Sequence, residues 1–157
     1  MNKKLFANVV AMVLLVLGGL GSGYAQSKSL AACNNRLIAG NYGFTIQGNK
    51  LAGQGFTGPQ VGVAMTTFDG KGGLTQIDTV TVDGEVVADF THTPATGTYT
   101  VNSDCTGTFT INFTDGRPPV DANFVVVEGG LEIDTVVISA GGSQGIVATS
   151  SVGKRRL

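Results

Sequence analysis

The sequence predicts an all-β fold, an antiparallel up-and-down meander of 8–9 strands closing into a small barrel. Three observations predict it. Short runs rich in Val, Ile, Thr and Phe recur along the chain, and several alternate apolar with polar residues, the period of a sheet with one wet face. Turn pairs punctuate the runs at Asp69-Gly70, Asp83-Gly84, Asp115-Gly116 and Gly129-Gly130, because hairpins need positive φ, which Gly, Asn and Asp adopt most cheaply. Charged residues make up only 13% of the 157, which suits a packed β domain rather than a disordered chain.

The first 25 residues read as a signal peptide. Lys3 and Lys4 form a basic start, residues 5–20 an apolar stretch, and Gly23-Tyr24-Ala25 a small-x-small cleavage site. Gly18, Gly19, Gly21 and Gly23 interrupt the apolar stretch, whereas a spanning helix wants ~20 consecutive apolar residues. Residues 26–40 form an N-terminal arm with a short helical turn at 30–37, and residues 41–150 a single barrel domain.

The first strand covers 41–47, with Tyr42, Phe44 and Ile46 on one face. Residues 48–59 are Gly-rich, lack a period and form the longest gap, which makes them the expected lid or rim. The second strand, 61–68, alternates Val61, Val63 and Met65 against Gly62, Ala64 and Thr66. Strands follow at 73–82 and 85–91, then a break at His92-Thr93-Pro94, since proline cannot donate to a ladder. Further strands lie at 97–101 and at 106–113, where Phe109, Ile111 and Phe113 face one way. The last are 120–127, 131–138 and 144–149, and residues 151–157 form a solvated basic tail.

Sequential strands with short turns close into a barrel or stack as a sandwich. The barrel is favoured because only the 48–59 loop is long enough for a Greek-key crossover. An eight-stranded interior holds side chains or one small ligand. Val125-Val126-Val127 and Val136-Val137-Ile138 are apolar on both faces, so either the N-terminal arm covers their outer side or a second subunit does.

Charge excludes some partners. Without Lys3 and Lys4 the balance is eight basic residues against eleven acidic, a net of −3, with no basic face for nucleic acid or anionic lipid. No membrane association is expected once the signal is cleaved. Both cysteines fall in the exported part, where the simplest outcome is one disulfide, Cys33–Cys105.

Catalytic signals are weak. His92, the one histidine, reads as an exposed loop residue, and no metal site or cofactor is expected, because zinc alone needs three or four protein ligands. Asp69, Asp83, Asp104 and Asp115 sit at turns, where aspartate bonds its own backbone. Asp78 and Asp134 lie inside apolar strands; each is either a wet-face residue or a buried carboxylate marking a polar cavity. Nucleophile elbows, Cys/His pairings and paired carboxylates are missing.

Asn41-Tyr42-Gly43-Phe44, then Thr67-Phe68-Asp69-Gly70, then Tyr99-Thr100-Val101-Asn102-Ser103-Asp104-Cys105-Thr106-Gly107 resemble an uncharacterised family of small secreted bacterial β-barrel proteins, across essentially the whole mature chain. The resemblance includes an early cysteine like Cys33 and brings no activity with it. At the level of fold it is similar to allene oxide cyclase-type and calycin-type barrels.

The expected function is that of an exported, non-enzymatic barrel, periplasmic or extracellular, binding a small apolar or amphipathic molecule. The candidate cavity lining is Tyr42, Phe44, Val63, Met65, Phe109, Ile111, Phe124 and Leu131, and the same residues would equally serve as a filled core. One alternative is a surface or matrix protein, a homo-oligomer assembling through the seventh and eighth strands. A weaker one is a cofactor-free isomerase or cyclase built on Asp78 or Asp134.

Overall fold

Nine strands and two short 3-10 turns make up the fold in the computed structural model, which describes residues 32–53, 55–140 and 146–157. The predicted signal peptide and the start of the predicted last strand lie outside those residues. The strands are β1 (Gly40–Lys50), β2 (Gly58–Phe68), β3 (Gly73–Val82), β4 (Glu85–Ala88), β5 (Ala95–Val101), β6 (Thr106–Asn112), β7 (Val120–Val127), β8 (Glu132–Ala140) and β9 (Val147–Arg155).

Every pairing is antiparallel. The ladder runs β2-β1-β9-β8-β7-β6-β5-β3, and a β2–β3 pairing shuts it into a ring of eight. The sandwich alternative is thereby set aside. β4 stays outside the ring as a hairpin arm on the far end of β3, joined through Asp83 and Gly84, whose φ values of 53° and 85° are both positive. Two positive-φ residues are what a two-residue hairpin turn demands.

β3 therefore has a divided partner. Gly73 to Gln76 pair with β5, and Val80 to Val82 pair with β4. Between them, Ile77 to Thr79 bond only to β2 on one side. The wall at that height is completed by the loops after β4 and after β6.

The final strand departs from the expected one. Residues 151–155, read as part of a solvated tail, continue β9 and pair with β1 and β8. The row Thr149, Ser151, Gly153, Arg155 points inward but is small or polar, so it carries no apolar period.

One end of the barrel is plugged. Asn34 caps the 3-10 turn Asn35–Ile38, its side chain accepting from Arg36 N–H, and Ile38 is fully buried beneath the barrel floor. Tyr42, Phe68 and Tyr99 stack edge-to-face, with centroids 5.5 and 4.9 Å apart. Such pairs add ~0.5–1.5 kcal/mol beyond simple burial. Tyr42 donates its hydroxyl hydrogen to the Gly130 carbonyl, and Tyr99 accepts from Gly70 N–H at 2.8 Å. Burial holds both phenols above their ordinary pKa. Arg155 donates to the carbonyls of Leu37 and Ala39 at 2.8 and 2.7 Å, tying the last strand to the N-terminal turn.

The Cys33–Cys105 disulfide forms as expected, with Cα atoms 5.0 Å apart. It fastens the N-terminal arm to the β5–β6 turn at this same end. The three turns at the plugged end, β2–β3, β5–β6 and β7–β8, are short and tight, and the longer connections, 51–57, 89–94 and 113–119, all gather at the opposite end.

Candidate functional site: an open cavity with a buried ionic cluster

At the unplugged end the interior is hollow. A cavity of about 450 Å³ descends from the mouth to a floor of Phe44, Phe68, Leu74 and Phe109. Ligand pockets commonly fall between ~300 and ~1,000 Å³, so the space suits one small molecule. It exists because the inward row of β2 is small (Gly62, Ala64, Thr66) and β9 contributes Thr149, Ser151 and Gly153 where bulky residues would fill the barrel. Phe56, from the 51–57 loop, lines the mouth together with Lys50 and Val87. That loop is the predicted rim, shortened because β1 and β2 extend further than expected.

The predicted lining divides into three groups. Phe44, Phe109 and Ile111 line the cavity. Tyr42 and Phe124 point inward and are buried, but belong to the packed plugged end. Val63, Met65 and Leu131 are corrections, because their side chains face outward; Val63 is 48% and Leu131 45% exposed. Register decides this for β2, since Tyr42 is opposite Thr66 and the inward row must share its face. Both rows of β2 are apolar or small, so alternation alone did not select the inner one.

The two in-strand carboxylates separate as well. Asp78 points inward from β3 and is 3% exposed, whereas Asp134 sits half-buried on the outer face of β8, opposite Val125 and Val152. Asp134 is thus a wet-face residue and not a cavity carboxylate.

Asp78 is at the centre of an ionic cluster that the sequence did not announce. Arg117, from the β6–β7 loop, donates Nη1–H to Asp78 Oδ2 at 3.2 Å and Nη2–H to Oδ1 at 3.1 Å. The same guanidinium donates Nε–H to Asp115 at 2.9 Å and lies 3.9 Å above the Phe113 ring. Charge-assisted forks and cation–π stacking together fix its plane. Burial alone would raise the Asp115 carboxyl pKa, but the Arg117 backbone N–H and guanidinium hold it below the ordinary value.

His92 completes the cluster, which corrects its reading as an exposed loop residue: its side chain is only 10% exposed. Nδ1 lies against the Asp89 carbonyl, and Nε2 stands 3.2 Å from Arg117 Nη2 and 3.3 Å from Asp78 Oδ1. Residues 78, 92 and 117 meet where β3 lacks a strand partner on one side, and the cluster closes that part of the wall. In sequence, the one hint was a carboxylate inside an apolar strand. His92 and Arg117 stand 14 and 39 residues away, with no local signal.

Other polar groups line the cavity on two sides. Thr66 donates to Gln76 Oε1 at 2.8 Å, and Gln76 reaches Asp78 at 3.4 Å. Across the barrel, Thr135 and Ser151 share a hydroxyl–hydroxyl hydrogen bond of 2.6 Å. Thr149 Oγ1 is buried with no hydrogen-bond partner among the described residues.

Among the described residues no His/Cys/Asp/Glu cluster could hold a metal ion, and no helix is long and apolar enough to cross a membrane. Three of the four turn aspartates, Asp69, Asp104 and Asp115, accept hydrogen bonds from nearby backbone as expected. Asp69 accepts from the N–H groups of Lys71, Gly72 and Gly73, and Asp104 from Thr106, which lowers both carboxyl pKa values.

On the outside, Val125, Val136, Ile138 and Val152 form an exposed, mostly apolar strip over β7, β8 and β9, interrupted by Asp134 between Val125 and Val152. The described part of the N-terminal arm packs at the plugged end and leaves the strip open. Comparison with protein-family models, with curated proteins and with solved structures finds no match.

Proposed function

We propose that the protein is an exported carrier or sensor that binds one small amphipathic molecule inside the barrel, without catalysing a reaction. The observation that carries this reading is the 450 Å³ cavity, largely apolar and open, among the described residues, at the end opposite the plug. Two further features support it. The plugged end is over-determined by a disulfide, three stacked aromatics and the Arg155 bonds, so the cavity is held in a rigid shell. The disulfide is the bond of an oxidising compartment, consistent with export to the periplasm or the medium.

A cofactor-free isomerase is less well supported. Such chemistry needs an acid or base free to face the substrate, whereas both oxygens of Asp78 are held by Arg117 and His92 Nε2 is engaged by the same guanidinium. The test of binding is native mass spectrometry of the protein recovered from its own secretion, followed by titration of the stripped protein with 1-anilinonaphthalene-8-sulfonate. Retained small-molecule mass or saturable one-to-one uptake is expected. Neither appearing would sink the proposal.

The outer strip of Val125, Val136, Ile138 and Val152 favours a second reading, self-association through β7 to β9. Size-exclusion chromatography at two concentrations decides it: a concentration-independent monomer removes this reading and leaves the cavity proposal untouched.

A further inference from the structure

The cavity is not apolar on all sides, and its polarity has a geometry. In a ring of eight, strands four steps apart face each other, so β1 faces β6 and β3 faces β8. β1 presents Phe44 and Ile46, and β6 presents Phe109 and Ile111. At that depth those two facing walls are apolar, with the buried Lys50 of β1 above them at the mouth. β3 presents Gln76 and Asp78, while β8 and its neighbour β9 present Thr135, Thr149 and Ser151. At the same depth those facing walls are polar, with Leu74 beneath them and Val80, Val82, Val137 and Val147 toward the mouth. The cross-section is therefore a slot, with two greasy faces and two hydrogen-bonding edges.

From this juxtaposition we infer that the occupant is a flat ring compound carrying hydrogen-bonding substituents, such as hydroxyl or oxo groups, on two opposite edges. The inference rests on the binding reading above and deepens it. A polymethylene chain would lie against both polar walls and strip them of water without replacing the hydrogen bonds, which costs free energy. A planar ring system lays its faces on Ile46 and Phe109 and turns its edges to the polar walls. Aromatic faces also stack favourably on the Phe109 side.

A second observation points the same way. Thr149 is 6% exposed, lines the cavity, and its hydroxyl has no hydrogen-bond partner among the described residues. Buried polar groups are nearly always satisfied, so an orphan in a cavity wall marks a position where a ligand atom supplies the missing bond. On the opposite edge, Gln76 makes only one long contact through its amide nitrogen, 3.4 Å to Asp78, and retains a hydrogen to donate.

The test uses three probes against the stripped, full-length exported protein: 1,5-dihydroxyanthraquinone, unsubstituted anthracene and tetradecanoic acid. Affinities are read by calorimetry or by competition with the 1-anilinonaphthalene-8-sulfonate probe. The dihydroxyanthraquinone is expected to bind at least about tenfold tighter than either of the others. Thr149→Val, which removes the orphan hydroxyl at nearly constant volume, should weaken the dihydroxyanthraquinone about three- to tenfold and leave anthracene unchanged. Its melting temperature should equal or exceed that of the parent, since no hydrogen bond within the protein is lost. Ser151→Ala is the second variant, with the same selective loss expected. If tetradecanoic acid or anthracene binds as well as the dihydroxyanthraquinone, or if neither variant discriminates, the slot inference is overturned while the binding proposal stands. If all three probes fail while 1-anilinonaphthalene-8-sulfonate is taken up, the slot inference alone is overturned; if the dye and native mass spectrometry also show nothing bound, the binding proposal falls with it.

Discussion

Removing Asp78 tests whether the ionic cluster is a coupled unit. In Asp78→Leu, the Arg117 guanidinium keeps Asp115 and the Phe113 ring but loses both bonds to the buried carboxylate. In Arg117→Met, Asp78, whose side chain is 4% exposed, is left with His92 and the long Gln76 contact. Breaking a buried pair from either side costs about 3 kcal/mol or somewhat more, because the remaining charge loses its buried counter-charge and, for Arg117, is left with the more exposed Asp115 alone. Arg117 is 17% exposed, so each single variant belongs at the low end, about 3 kcal/mol. Independent sites would sum to about 6 kcal/mol, yet the double variant Asp78→Leu/Arg117→Met buries no orphan charge and should cost no more than about 3 kcal/mol. The added leucine finds room in the cavity, and methionine still packs on Phe113. Urea unfolding is followed by far-UV circular dichroism, since the chain has no tryptophan. An additive double variant, or an Asp78→Leu cost below about 1 kcal/mol, would refute the account of the cluster as a wall closure.

Three further outcomes follow from the same structure. Reducing Cys33–Cys105, which spans 72 residues, should lower stability by about 4 kcal/mol on the chain-entropy account; equal urea midpoints with and without reductant would contradict it. Gly97→Ala places a Cβ 2.0 Å from the Thr110 carbonyl oxygen and should cost at least about 1–3 kcal/mol, whereas Gly43→Ala meets nothing within 4 Å and should be neutral or better. Thermal melts of the two variants compare them directly. The carboxyl groups of Asp69, Asp104 and Asp115 have folded pKa values below their ordinary ones, so the unfolded chain takes up protons first as pH falls. Their contribution is full above about pH 4 and is lost through the acid range below it. Urea midpoints should therefore fall between pH 6 and pH 3, and Asp69→Asn should flatten that slope; an unchanged slope would count against it.

The barrel was legible in the sequence because turn chemistry is local. Asp83-Gly84 and the Asp69 turn declare their conformations within four residues, and the run Phe109, Ile111, Phe113 declares its inner face. Faces became unreadable where both rows were similar. Val61, Val63 and Met65 looked like the core row of β2, yet pairing with β1 turns Ala64, Thr66 and Phe68 inward. The cavity follows from that exchange, since small residues point in and large ones out. The ionic cluster was unreadable for another reason: its three members come from a strand and two loops, and only ring closure brings them together. β9 was missed beyond residue 150 because Ser151, Gly153 and Arg155 are neither apolar nor β-branched.

The seam between β1 and β9 has a kinetic consequence. Phe44 is paired with Gly153, 109 residues later in the chain, and its ring occupies the space a β-carbon at Gly153 would need. Every other ring contact joins strands near in sequence, as a hairpin or, for β3 and β5, across the short β4 arm. This seam alone demands that the two ends of the domain find each other, and loop-closure entropy opposes the meeting until most of the sheet exists. The chain is therefore expected to fold slowly, on the millisecond-to-second scale of non-local β topologies. Until residues near Arg155 are in place, the interior remains an open trough rather than a chamber.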